Sequence, residues 1–337
     1  MNPDRHAARL GEARKHLAAK RHADAAQLCR NVLRRDPRCA EAYELLGDAL
    51  HADGKLADAL DAYRQAVRLA PTRTEGWWGL SGVLRAQGDV AEAVAALQRL
   101  TALRADDQQA WHNLGVSLHQ LGRTDDAVDA LARSVRMEGE VAGMSVGSIA
   151  TIIPGSLRAD HAVVLAARRL WASGLPVVPA SPPPGVPDRP VRLGYVCSFF
   201  QDRNWMKPVW AVVNRHDRER FEVHLFSEGP ADAITHGYRP HASDHFHDFS
   251  RLTNAELAAR IRSAGIDVLV DLNGFSRMNR LPPFTERPAP VQVGWFNLYA
   301  TSGVPGLDFL LGDADVIRPD EETFFSERVI RLPRCYL

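Results

Sequence analysis

The chain lacks an excess of charge of either sign, a closely spaced pair of cysteines and an apolar run long enough to span a bilayer. Each absence removes a class of function. Lysines and arginines number 41, as do aspartates and glutamates, so no net field draws nucleic acid, a membrane surface or an acidic partner. The four cysteines, Cys29, Cys39, Cys197 and Cys335, contain no C-x-x-C pair. That argues against a zinc ribbon, a redox motif or a disulfide framework, and fits a reducing cytoplasm. Residues 1–20 are charged throughout and lack the apolar core of a signal peptide. The expectation is a soluble, cytoplasmic protein with neither nucleic acid nor membrane as partner. With 337 residues, 45% of them apolar, the chain is long enough for two or three domains.

An internal repeat governs the first third. Tyr43, Trp77 and Trp111 recur every 34 residues, as do Leu46, Leu80 and Leu114, Gly54, Gly88 and Gly122, and Ala59, Ala93 and Ala127. That period belongs to the tetratricopeptide helical hairpin, in which glycine opens the turn and the small alanine lets the second helix pack closely. A degenerate earlier unit has Ala25, Cys29, Val32 and Pro37 in register but Lys20 in place of the turn glycine. About four hairpins from Ala8 to Met137 are expected to stack into an α-solenoid with one concave face free for an extended polypeptide. Trp77 and Trp111 read as packing residues, whereas Trp78 falls outside the repeat pattern. Asn113 is the asparagine at a repeat position held by Leu45 and Gly79 in the other units, so it is the candidate peptide-binding residue.

Beyond the repeats, taken as residues 1–142, a helical adaptor is expected over 143–175, with Ala159–Ala172 packing under the last repeat. Prolines crowd residues 176–190 and make this stretch an extended linker and the natural domain boundary. From 191 to 337 short β-branched or aromatic runs, at 191–196, 221–226, 267–272, 291–296 and 309–311, alternate with helical stretches at 206–214 and 254–264. Such alternation predicts an α/β domain with a parallel sheet and helices on both faces. Ligands in such sheets bind beyond the carboxyl ends of the strands. Attention therefore falls on the loops 198–207, 227–232, 273–279 and 297–306.

The strands V-R-L-G-Y-V (191–196) and G-I-D-V-L-V-D-L-N-G-F-S (265–276), and above all R-P-A-P-V-Q-V-G-W (287–295) followed by T-S-G (301–303), resemble the tetratricopeptide-repeat protein O-GlcNAc transferases and their Spindly-type relatives. The resemblance covers nearly the whole chain. It implies a GT-B glycosyltransferase, in which two Rossmann-like lobes face each other and the nucleotide sugar binds mainly to the second. This chain corresponds to the repeats and the amino-terminal lobe and stops at Leu337, about where the second lobe would begin, so the expectation is a chain incomplete for catalysis, with a separate second lobe as a further partner. The reaction implied is inverting transfer of N-acetylglucosamine from UDP to a serine or threonine of a protein held along the repeats, with no cofactor beyond the donor sugar nucleotide and no metal. The alternative, from a different class, is a non-catalytic tetratricopeptide interaction scaffold with a remnant lobe.

Sugar transfer needs a cradle for the diphosphate, charge on the leaving phosphate and a route for the acceptor's proton. The sequence has no Gly-x-x-x-x-Gly-Lys. The family's H-P-x-x-H after the first strand is replaced here by Ser198-Phe199-Phe200-Gln201-Asp202-Arg203-Asn204-Trp205-Met206-Lys207, and no catalytic histidine carries over. Asp202 becomes the candidate proton acceptor and Arg203 and Lys207 the candidate phosphate contacts, with Asn204 beside them toward substrate; against this, Asp202 or Asn204 would serve equally as a helix cap. Asp271 and Asn273 end a strand that the family turns to the cleft, although the pair also suits a turn. The loop Asn297–Gly306 offers Asn297, Tyr299, Thr301, Ser302 and Gly303 to a substrate. His236, His241, His245 and His247 invite a metal, but their spacing supplies no clean tetrahedral set and none is expected.

Overall fold

The computed structural model describes residues 3–179, 185, 187–202, 205–234, 236–276, 279–298 and 300–333, with side chains from residue 6 onward. Among these, α1 (Pro3–Ala18) and α2 (His22–Leu33), α3 (Ala40–Ala52) and α4 (Leu56–Leu69), α5 (Thr74–Gln87) and α6 (Val90–Leu103), and α7 (Gln108–Gln120) and α8 (Thr124–Val135) form four hairpins. The 34-residue period has a physical counterpart at every step. Ala25, Ala59, Ala93 and Ala127 are completely buried, because their methyl groups are all that the close approach of paired helices admits. Trp77 and Trp111 donate their indole N–H to the carbonyls of Pro71 and Ala105, each at 2.9 Å, and so tie each first helix to the turn before it, whereas Trp78 is 40% exposed. Gly54, Gly88 and Gly122 have φ of 75°, 85° and 74°, and Lys20 takes the same left-handed conformation at 58°. The degenerate first unit therefore keeps the turn without the residue suited to it.

Between hairpins the cohesion is mainly apolar, with the ion pairs Arg14–Glu41 and Arg64–Glu92 at the surface and a more buried clasp at Glu44. Arg73 makes paired bonds of 2.8 and 2.7 Å to the buried carboxylate of Glu44, a fork that satisfies both oxygens. Tyr63 lies against Gly47 and Gly79, where any Cβ would fall within 2.7 and 2.1 Å of its ring. The next helix, α9 (Ala142–Ile152), is joined to α7 and α8 by Ser145, whose hydroxyl meets Ser134 Oγ and His112 Nδ1, both at 2.9 Å. The chain divides into two compact units, Met1–Ser148 and Ile149–Leu337.

That division precedes the proline-rich segment, and α10 (His161–Ala172) belongs to the second unit. The expectation that it packs under the last repeat is corrected by its contacts. Trp171 stands edge-on to Phe275 at 5.1 Å, and the buried Arg168 bonds carbonyls at 300 and 301. The described ends of the linker are also fastened to this unit, Val178 N–H to the Thr285 carbonyl at 2.8 Å and Arg189 to Asp267 at 2.8 and 3.0 Å.

The second unit is built on β1 (Val191–Cys197), β2 (Phe221–Ser227), β3 (His245–Asp248), β4 (Val268–Asp271), β5 (Val291–Gly294), β6 (Phe309–Gly312) and β7 (Arg328–Arg331), with α11 (Lys207–Val213), α12 (Asn254–Ser263) and α13 (Pro282–Thr285) between them. Every pairing is parallel, in the order β3-β2-β1-β4-β5-β6-β7. Tyr195, Leu225, Val270 and Val293 pack with Val209, Trp210 and Val213 of α11 on one face. Val196, Phe226 and Leu269 pack with Leu257 and Ile261 of α12 on the other. Two cysteines are buried without any exposed surface, Cys29 in the repeats and Cys197 at the end of β1. Among the described residues no helix is long and apolar enough to cross a membrane.

Candidate active site

In this strand order the chain leaves β1 toward β2 and leaves β4 toward β5, in opposite directions, so the loops after neighbouring strands diverge and open a crevice at their carboxyl ends. Asn273 fixes that crevice. Its Oδ1 accepts the Ser198 N–H from the β1 loop at 2.8 Å, and its carbonyl accepts Asn297 Nδ2 from the β5 loop at 2.8 Å. Its own N–H donates to Asp271 Oδ1 at 3.1 Å while Gly274 N–H takes Oδ2 at 2.8 Å. Asn273 is fully buried and its Nδ2 has no hydrogen-bond partner among the described residues. A buried amide donor left over at a switch point is costly unless something arrives to accept it.

Asp271 does satisfy the loop amides, and burial pushes its carboxyl up to about 7, against the pull of the Gly274 and Asn273 amides. Phe296 and Asn297 sit in the left-handed region, with φ of 57° and 47°, a conformation that asparagine tolerates but phenylalanine rarely adopts, which marks a constrained turn. A Cβ on Gly274 would stand 2.2 Å from the Asn297 carbonyl. Trp205 of the β1 loop packs edge-on to Phe296 at 5.7 Å, so three loops from three strands are tied into one rim.

Asp202 is exposed in the β1 loop. It does not cap α11, whose N-cap is Met206 without a side-chain bond. Lys207, also exposed, lines a cleft of about 300 Å³ with Trp210, Ala211, Asn214, Arg215, Gly237 and Arg239. Arg203, Asn204 and Tyr299 lie outside the described residues.

The T-S-G loop is held from within. Thr301 Oγ1 donates to Glu327 Oε2 at 2.8 Å, Ser302 N–H donates to Oε1 at 2.7 Å, and the Ser302 hydroxyl bonds the same carboxylate. Both residues are buried, with their hydroxyls turned to that carboxylate. Gly303, at φ 65°, lies against α10, where a Cβ would fall 2.8 to 2.9 Å from Arg168 and Arg169 backbone and Cβ atoms. Arg168 donates to the carbonyls of Ala300 at 3.2 Å and Thr301 at 2.5 Å from above the Phe275 ring. Burial lowers its pKa to about 10, with Glu327 working the other way. Sequence reading missed Arg168 and Glu327. An arginine within V-V-L-A-A-R-R-L-W is the one signal that was available, and Glu327 had none. The R-P-A-P-x-Q stretch is likewise a latch: Arg287 donates to the Gly306 carbonyl and Asp308, at 2.9 and 2.8 Å, and Gln292 Nε2 donates to the carbonyls of Phe284 and Gly306.

In the repeats Asn113 is half-buried and accepts Gln109 Nε2 at 3.2 Å. At the equivalent positions Leu45 is buried and Gly79 abuts Tyr63, so no ladder of amides continues from it. Of the four histidines singled out by spacing, His245 and His247 gather round His224, which sequence reading passed over, on the first half of the sheet rather than at the crevice.

Residues 10–74, 50–115 and 108–140 match tetratricopeptide repeat models, and residues 184–337 match the model of glycosyl transferase family 41. Most of the second unit thus resembles glycosyl transferase family 41. The chain also has named relatives. The chain is 30% identical over 148 residues to the UDP-N-acetylglucosamine–peptide N-acetylglucosaminyltransferase of Caenorhabditis elegans, across 43% of the chain and 13% of that protein. It is 31% identical over 155 residues to the "Probable UDP-N-acetylglucosamine–peptide N-acetylglucosaminyltransferase SPINDLY" of Arabidopsis thaliana, across 45% of the chain and 17% of that protein. A solved mutant of the Thermobaculum terrenum O-GlcNAc transferase aligns with 100% of the chain at 29% identity and a TM-score of 0.50. The matches span less than a fifth of the two curated relatives, and the chain spans 59% of the solved one.

Proposed function

We propose that the family 41 lobe takes part in transfer of N-acetylglucosamine from UDP-N-acetylglucosamine to serine or threonine hydroxyls of a polypeptide laid along the repeats. The observation that carries this reading is the Rossmann-ordered sheet, within a family 41 match, whose switch point is closed by Ser198, Asp271, Asn273 and Asn297, with the buried Asn273 Nδ2 unpartnered among the described residues. The names of the relatives supply the sugar and the acceptor class. In the reaction the acceptor oxygen attacks the anomeric carbon, the bond to the diphosphate oxygen breaks with its electron pair, and the hydroxyl proton needs a base. Asp202, exposed on the loop after β1, is that base in our reading, and Lys207 and Arg203 contribute charge toward the leaving diphosphate. Asn273, with Asn297 and the 299–303 loop, shapes the acceptor side of the crevice.

The second reading, a protein-binding scaffold, is favoured by Thr301 and Ser302, whose hydroxyls are spent on Glu327. Isotope-labelled UDP-N-acetylglucosamine and a serine-rich peptide separate the two, assayed with this chain and with the chain fused to the remaining length of the Thermobaculum relative. Label should reach the peptide, and Asp202→Asn should lower turnover about a hundredfold. Peptide retention without transfer in either form would favour the scaffold, and unchanged turnover in Asp202→Asn would remove that residue from the chemistry.

A further inference from the structure

Three side chains with metal-ligand chemistry, Glu222, His224 and His245, meet toward the amino-terminal ends of β2 and β3, apart from the crevice. In the parallel register Arg192 lies beside Glu222 and His224 beside His245, so all four share one sheet face, the one that α12 covers further along. His224 Nε2 and His245 Nε2 approach the same oxygen, Glu222 Oε1, at 2.9 and 3.1 Å. The two imidazoles stack at 4.5 Å with 20° between their planes, and the three donor atoms all lie within 4.8 Å of one another. We propose that Glu222, His224 and His245 form a binding site for one divalent zinc-class ion, three protein ligands with a position left for water.

The distances suit that ion. Tetrahedral zinc with nitrogen and oxygen ligands at about 2.0–2.1 Å sets neighbouring ligand atoms about 3.3 Å apart; the two histidine–carboxylate separations already lie near that value, and the stacked rings must turn toward each other to point both nitrogens at one ion. An outer partner is in place as well. His224 Nδ1 lies 3.1 Å from His247 Nε2, which fixes the ring and lets Nδ1–H donate once Nε2 is a ligand. His247 is in turn stacked on Phe226 at 4.4 Å. His245 is half exposed and gives an ion a way in. Arg192 Nε, 3.2 Å from the other oxygen of Glu222, leaves Oε1 free but repels a dication, which points to micromolar rather than tighter binding. Imidazole with one carboxylate selects zinc, nickel or copper over magnesium or calcium. An ion here would join the short edge strand β3 to β2.

The test is calorimetric titration of the untagged 337-residue chain, freed of metal by a chelator, with zinc chloride alone. One saturable site per chain is expected, with a rise in melting temperature on loading and affinity that falls as the pH drops to about 6. His245→Ala removes a half-exposed ring and leaves the core intact. It should weaken binding at least a hundredfold, whereas His236→Ala with His241→Ala should not change it. Cobalt loaded in place of zinc should give visible ligand-field absorption without a thiolate charge-transfer band. No saturable binding at millimolar zinc, binding unchanged in His245→Ala, or a thiolate band would each overturn the site.

Discussion

Asp271 carries the largest electrostatic consequence of any single side chain at the crevice. Its carboxyl, ordinarily near 3.9, is held at about 7 by burial, so between those values the folded chain keeps a proton that the unfolded chain has shed. Stability should therefore fall as pH rises through that window, by on the order of 4 kcal/mol, and level off above it. Urea midpoints across the window should show this slope, and Asp271→Asn should flatten it. A slope that survives in the Asn variant would place the proton elsewhere. The same residue shows what a sequence does and does not disclose. That Asp271 and Asn273 end a strand at a ligand-binding edge was legible, because an apolar run closing on two polar residues is a local pattern. That Asn273 joins three loops was not, because its partners Ser198 and Asn297 come from other strands. His224 was passed over for the same reason, since its neighbours His245 and His247 reach it only through strand pairing.

The turns of the repeats give a second comparison, because the same conformation is built four times with two residue types. Lys20→Gly should relieve a left-handed backbone and stabilise the first hairpin by about 0.5–1 kcal/mol, while Gly88→Ala should cost about 1 kcal/mol. A paired thermal melt checks both, and a destabilised Lys20→Gly would mean that the lysine contributes more than its turn. The hairpins were readable because one pattern recurs, so each unit corroborates the others. β7 was not readable. R-V-I-R offers too few alternating residues to signal a strand, and its place is set by pairing with β6. The helix α10 was found but attached to the wrong neighbour, for its apolar stripe suits either unit and the deciding bonds from Arg168 go to residues more than a hundred positions away. Gly303→Ala, which pushes a methyl into α10, should destabilise the second unit by about 1–3 kcal/mol. Arg168→Met should cost about 2 kcal/mol through lost charged hydrogen bonds. Neither should move the melting of the repeats, as circular dichroism of the separate transitions would reveal.

The division at Ser148 and Ile149 sets where the chain can be cut. A fragment of residues 1–148 should be helical and cooperatively folded, since each hairpin is stabilised by its neighbours. A fragment of residues 1–173 should carry α10 as a tail, with Trp171 stripped of Phe275 and the core it packs against in the intact second unit. Limited proteolysis should trim the longer fragment back toward the shorter. Equal resistance across 149–173 would show that α10 has a home on the repeats. The two fully buried cysteines, Cys29 in the first unit and Cys197 in the second, extend this to kinetics. Burial raises both thiols well above their usual range, and alkylating reagents attack the thiolate, so neither should be modified until its own unit opens. Mass spectrometry of a timed alkylation would then read two independent opening rates from one unaltered polypeptide, a pair of internal clocks that needs neither dye nor engineered label.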